Sequence, residues 1–131
     1  MNFELTDNPY PLRPRRVKRF RGHDEENIRR ELSQILLRAR SVASRSRAEF
    51  ADGTDAYDVA SMLIIRLASL TERPEFGPWA AMLTDDEINA IRTMRNIVAH
   101  AGYASMNDDI FWETVTRNVP ELVERLLSYG E

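Results

Sequence analysis

Thr84-Asp85-Asp86-Glu87-Ile88-Asn89-Ala90-Ile91-Arg92-Thr93-Met94-Arg95-Asn96-Ile97-Val98-Ala99-His100-Ala101-Gly102-Tyr103 reads as one helix and its stop. Thr84 and Glu87 have the spacing of a capping box, in which each side chain satisfies a backbone N–H at the helix start. Asp85 and Asp86 add negative charge where the helix dipole favours it. Ile88, Ile91, Met94 and Val98 recur at steps of three and four and form the apolar side. Arg92, Arg95, Asn96 and His100 occupy another side. In an α-helix positions 96 and 100 stack, so the Asn96 amide is expected to orient the imidazole of His100. Arg95 is about 100° round from Asn96. Gly102 is a natural helix stop, leaving Tyr103 just outside it. A histidine beside a permanent guanidinium suits chemistry at a phosphodiester. The same residues also make an ordinary solvated helix face, and spacing alone does not decide between the two.

Upstream, two more helices are expected. Asp24, Glu25 and Glu26 mark the start of the first, and Ile28, Leu32, Ile35, Ala39, Val42 and Ala43 give it one apolar face, ended by Asp52-Gly53. Thr54 or Asp55 caps the second, whose face is Ala56, Ala60, Leu63, Leu67 and Leu70. Met62, Ile64 and Ile65 widen that face, which implies burial on more than one side, in a dimer interface or at a central position. Pro74, Gly77 and Pro78 make a loop of residues 71–83, with a short turn expected around Trp79.

Downstream, Asn107-Asp108-Asp109 is a further helix start, with Ile110, Phe111, Thr114 and Val115 facing inward. Asn118 followed by Pro120 is expected to restart the chain as a separate fifth segment, packed through Leu122, Val123, Leu126 and Leu127. No stretch alternates as a strand does, and no phosphate-binding glycine loop occurs. The class is an all-α antiparallel bundle of four to five helices.

The chain of 131 residues is long enough for one domain with a real core. It has no cysteine, which excludes disulfides and thiolate chemistry. No apolar run approaches the ~20 residues of a membrane span, and the cytoplasm is the expected location. The net charge of −3 argues against bulk capture of nucleic acid. Six of the eighteen basic residues nevertheless cluster near the N-terminus, at Arg13, Arg15, Arg16, Lys18, Arg19 and Arg21. With Pro9, Pro11 and Pro14 ahead of them, residues 1–22 read as an extended basic arm, and residues 23–131 as the helical domain.

The motif Arg95-Asn96-x3-His100 with Tyr103, followed by Asn107-Asp108-Asp109-Ile110-Phe111-Trp112-Glu113-Thr114-Val115 and Asn118-Val119-Pro120-Glu121-Leu122, resembles the HepT family of HEPN-domain proteins. The resemblance is good from Thr84 to Leu127 and covers the first two helices more loosely. It implies a homodimer in which the Arg-x4-His motifs of two protomers meet across a cleft. It implies a ribonuclease toxin of a type II/VII-like toxin–antitoxin pair, cutting RNA with no metal or cofactor. The implied partner is a minimal, MntA-like nucleotidyltransferase, which silences the toxin by adding AMP to the motif tyrosine, in a homodimer or a higher assembly. Carried over by position, Arg95, Asn96 and His100 match the ribonuclease residues and Tyr103 the AMP acceptor. Two residues, Ala101 and Gly102, separate His100 from Tyr103 where the family pattern usually has one.

On this resemblance His100 of two protomers acts as base and acid, Arg95 holds the phosphoryl oxygens, and Asn96 orients the ring. The alternative is a catalytically inactive HEPN dimer serving as scaffold for a nucleotidyltransferase. A third reading, metal-dependent hydrolysis by Asp85, Asp86 and Glu87 or by Asp108 and Asp109, competes with capping as the reason for those acids. Trp79, Trp112, Phe111 and Tyr57 are candidates for base stacking, though Phe111 and Trp112 fit packing better. His23 has no expected catalytic part.

Overall fold

The computed structural model describes residues 21–101 and 105–129. Among these residues there are helices and turns and no strand, so the bundle is all-α. Helix α1 (Arg21–Ala43) starts earlier than Asp24, so Arg21 and Gly22 belong to it rather than to the arm. The remaining basic residues of the arm lie outside the described residues. Past Ser46 a single 3-10 turn (Arg47–Glu49) leads to Gly53, whose φ of 98° is open to glycine and strained for other residues. Helix α2 (Asp55–Thr71) is capped by Thr54, whose hydroxyl accepts from the Tyr57 N–H at 3.3 Å.

Nine of the seventeen residues of α2 are buried. Leu63, Ile64, Leu67 and Leu70 are fully so, while Met62 is 49% exposed. The wide apolar face expected for this helix is thus the face of a central element, packed against α1 on one side and α4 on another. The proline-rich loop forms a 3-10 turn (Pro74–Phe76) and a single helical turn, α3 (Gly77–Ala80), that drives Phe76 and Trp79 into the core.

Helix α4 (Asp85–Asn96) begins as its sequence requires. The Thr84 hydroxyl accepts from the Glu87 N–H at 3.1 Å, and the Glu87 carboxylate accepts from the Thr84 N–H at 2.9 Å. It passes into a π turn, Ile97–Ala101. Helix α5 (Asp108–Glu113) is capped by Asn107 through the Ile110 N–H at 3.0 Å. A second π turn (Thr114–Asn118) joins it to α6 (Val119–Leu127).

That junction corrects the expected break at Asn118-Val119-Pro120. The backbone at Glu113, Thr114, Asn118 and Val119 stays right-handed helical, and α5 and α6 run on as one interrupted helix. The physical reason is local. Proline lacks an N–H and its ring collides with the carbonyl four residues back. A wider turn closed from the Val119 N–H to the Thr114 carbonyl lets the helix take Pro120 without ending.

The aromatic residues make a corner of the core. Phe50 lies 4.9 Å from Tyr57, 5.3 Å from Phe111 and 5.2 Å from Trp112, centre to centre. The Tyr57 hydroxyl donates to Asp108 at 2.7 Å, so the buried ring keeps its polar end satisfied. Tyr57, Phe111 and Trp79 are therefore packed rather than presented for base stacking, and Trp112 is half-buried against Phe50.

Candidate functional site

The buried side of α4 is the one its periodicity marks. Ile91 and Met94 are buried, and Ile88 and Val98 pack against the core. This orientation turns the polar side outward, leaving Asn96 and His100 exposed and Arg95 half-buried. The core thus sets which way the motif faces.

Arg95 is held on two sides. Its Nε donates to the Asn96 side-chain oxygen at 3.0 Å, and its terminal nitrogen lies 3.5 Å from the Glu72 carboxylate at the C-cap of α2. Glu72 comes from a different helix, 23 positions away, and no local spacing marks it. Its carboxylate fixes the direction of the guanidinium without burying it, since Arg95 keeps 27% of its side-chain surface.

The expected Asn96–His100 contact is replaced. Asn96 lends its oxygen to Arg95, and among the described residues the imidazole of His100 has no hydrogen-bond partner. At this point the helix passes into the π turn Ile97–Ala101, so His100 sits on a turn that departs from α-helical hydrogen bonding. A π turn inside a helix is often found where a side chain serves function rather than packing.

Tyr103 and Gly102 lie outside the described residues, so the expected helix stop and AMP acceptor do too. His23 is far along the sequence on α1, with its Nδ1 3.8 Å from the Glu26 carboxylate.

Of the acids in the metal reading, Glu87, Asp108 and Asp109 have other partners, and Asp85 and Asp86 lie in the first turn of α4. Glu87 accepts from both terminal nitrogens of Arg125, at 3.0 and 2.6 Å, and from the Thr84 N–H. The Arg125 guanidinium, with the Thr84 cap, draws the Glu87 carboxyl down to about 2, and the Glu87 carboxylate raises the Arg125 pKa in turn. Asp108 takes the Tyr57 hydroxyl, and Asp109 accepts from Arg47 at 2.6 and 3.0 Å. Among the described residues no three metal-binding side chains converge. No helix among them is long and apolar enough to cross a membrane.

Compared with known families, residues 79–128 match the model described as ribonuclease HepT-like. The matched span runs from Trp79 through α4, the motif, α5 and all of α6. The resemblance read from the motif is borne out over this segment. No curated protein and no solved structure matches the chain.

Proposed function

From the premise that residues 79–128 form a HepT-like ribonuclease segment, we propose that the protein is a HEPN-type ribonuclease toxin acting through Arg95 and His100. One observation carries the reading above the family match. His100 is exposed, with no hydrogen-bond partner among the described residues, and it follows by five positions a guanidinium that Glu72 and Asn96 hold in place.

The chemistry proceeds in a homodimer, with one His100 from each protomer. One imidazole takes the proton of a ribose 2′-hydroxyl, whose oxygen attacks the adjacent phosphorus. The bond to the 5′-oxygen breaks, and the second imidazole, protonated, gives its proton to that oxygen. The products are a 2′,3′-cyclic phosphate and a free 5′-hydroxyl. Arg95 places two parallel N–H groups on the phosphoryl oxygens, where charge gathers in the transition state. Asn96 acts through Arg95, keeping its Nε engaged so that the terminal nitrogens face substrate.

Regulation follows the family. A minimal nucleotidyltransferase antitoxin adds AMP to Tyr103, and the bulk and charge of the adduct oppose RNA binding. The chain works in the cytoplasm, where both RNA and partner are present.

The test is RNA incubated with the purified protein in excess EDTA, with the ends of the fragments identified. Fragments bearing cyclic phosphates are expected. Cutting abolished by chelation, or 5′-phosphate ends, rejects the mechanism. No cutting at all by a protein that still binds a nucleotidyltransferase tightly supports the scaffold reading instead.

A further inference from the structure

The outward side of α4 holds one residue that the proposed chemistry leaves idle. Arg95, Asn96 and His100 have parts in it, and Arg92 has none. Arg92 is exposed. Among the described residues, the side chains of Arg45, Arg73 and Arg92 make no hydrogen bond or ion pair. Arg45 and Arg73 sit on bends between elements, whereas Arg92 stands on the motif's own helix. Elsewhere exposed arginines pair with acids, as Arg40 does with Glu124, Arg66 with Glu31 and Arg117 with Glu113. Others bond within their own helix, as Arg30 does to the Asn27 side-chain oxygen.

Helix energetics gives no reason for a guanidinium at position 92. The helix dipole favours cations in the last turn, which holds Arg95, and Arg92 precedes that turn. Its neighbours three and four positions away are Ile88, Asn89, Arg95 and Asn96, so one like charge and no acid lies beside it. The run from Ile88 to Asn107 contains no acid at all, in a chain that has 21 of them. Two guanidiniums kept together in such a stretch are explained by a polyanion that lies across both.

The helix also sets their separation. Positions 92 and 95 differ by about 4.5 Å along the axis and about 60° around it, so the two side chains open on adjoining surface. Arg95 is tethered by Asn96 and Glu72, and Arg92 carries no such tether. We propose that Arg92 grips a phosphate of the RNA strand next to the one being cut. The substrate is then a strand with charged phosphates flanking the scissile bond, not a lone phosphodiester. The inference rests on the ribonuclease reading of Arg95 and His100 and adds a substrate requirement to it. A grip on a non-reacting phosphate is the same before and during bond cleavage, so it lowers KM and leaves kcat alone. It also adds one phosphate to the counterions released on binding.

The test compares Arg92→Gln with Arg45→Gln, which removes the same charge from outside the motif's helix. Each is measured on an RNA oligomer and on the same oligomer carrying 2′-O-methyl groups, which binds without being cut. For Arg92→Gln, affinity for the methylated oligomer is expected to fall about tenfold. The slope of log affinity against log salt is expected to flatten by about 0.7, the share of one phosphate in a single strand. KM for cleavage should rise with kcat unchanged, Arg92→Lys should restore most of the slope, and Arg45→Gln should alter none of these. Unchanged affinity and slope in Arg92→Gln, or equal losses in Arg92→Gln and Arg45→Gln, overturn the inference. So does a fall in kcat at unchanged KM. A wild-type chain that cuts no oligomer sinks the ribonuclease reading instead, and the salt slope on the methylated oligomer still decides Arg92.

Discussion

Two π turns occur among the described residues, and they differ in almost everything but their hydrogen-bonding class. Thr114–Asn118 lies just before Pro120, with Val115 fully buried within it. Proline forces the widening, and the core absorbs it. Ile97–Ala101 has no proline, and its outward residues Ala99 and His100 are exposed. The first turn keeps a long helix continuous past an obstacle. The second carries an exposed histidine at the end of α4, with no proline to account for the widening. The same backbone distortion is thus structural where the sequence explains it, and a pointer to function where it does not.

Substitutions that break each side of this comparison should have separable effects. Around the proline-linked turn, Phe111 is fully buried beside Phe50 and Tyr57, so Phe111→Ala should cost about 3–5 kcal/mol of stability in denaturant unfolding. A loss under about 1 kcal/mol would mean that the aromatic corner is not part of the core. At the other turn, Arg95→Ala should leave the unfolding midpoint unchanged while slowing RNA cleavage about 100-fold. Arg95→Lys should fall between, since an ammonium lacks the fork that grips two oxygens. Equal loss in both variants would point to geometry rather than charge.

Away from both turns, the Glu87–Arg125 pair gives an acid-sensitive reference. The Glu87 pKa lies at about 2 in the fold against a usual 4.5, so its contribution is complete above pH 4.5 and disappears as pH falls towards 2. The Glu87 side chain keeps 28% of its surface and Arg125 41%, and the solvent screening at such a part-exposed pair limits the contribution to about 1 kcal/mol. Arg125→Ala should remove that much of the acid dependence in unfolding measured from pH 5 to pH 2, without touching cleavage. The smallest effect is expected of Glu72→Gln. It unties one side of Arg95 and should lower the cleavage rate by a few-fold, with binding of RNA slightly tightened by the lost negative charge.

These differences also explain what the sequence could and could not convey. Thr54, Thr84 and Asn107 were legible as caps because capping is a local contact between residues three apart, and all three bonds are present. The core side of α4 was legible for a similar reason, since burial repeats with the helix period. Neither π turn was. A residue added to one helical turn leaves the composition unchanged, and the apolar pattern over a single turn is too short to register the slip. Pro120 therefore read as a break, and the contact of Asn96 with Arg95, its immediate neighbour, carries no helical spacing to announce it. Glu72 was invisible because its meeting with Arg95 depends on how α2 ends beside α4, a tertiary fact with no sequence spacing of its own.

The central claim is that His100 is exposed for chemistry and contributes nothing to packing. Its direct test is the rate of RNA cleavage in excess EDTA by His100→Ala, measured beside its thermal unfolding. The account predicts a fall of at least about 100-fold with an unfolding temperature that does not move. Undiminished cleavage, or a loss of activity that merely follows a loss of folded protein, would contradict it.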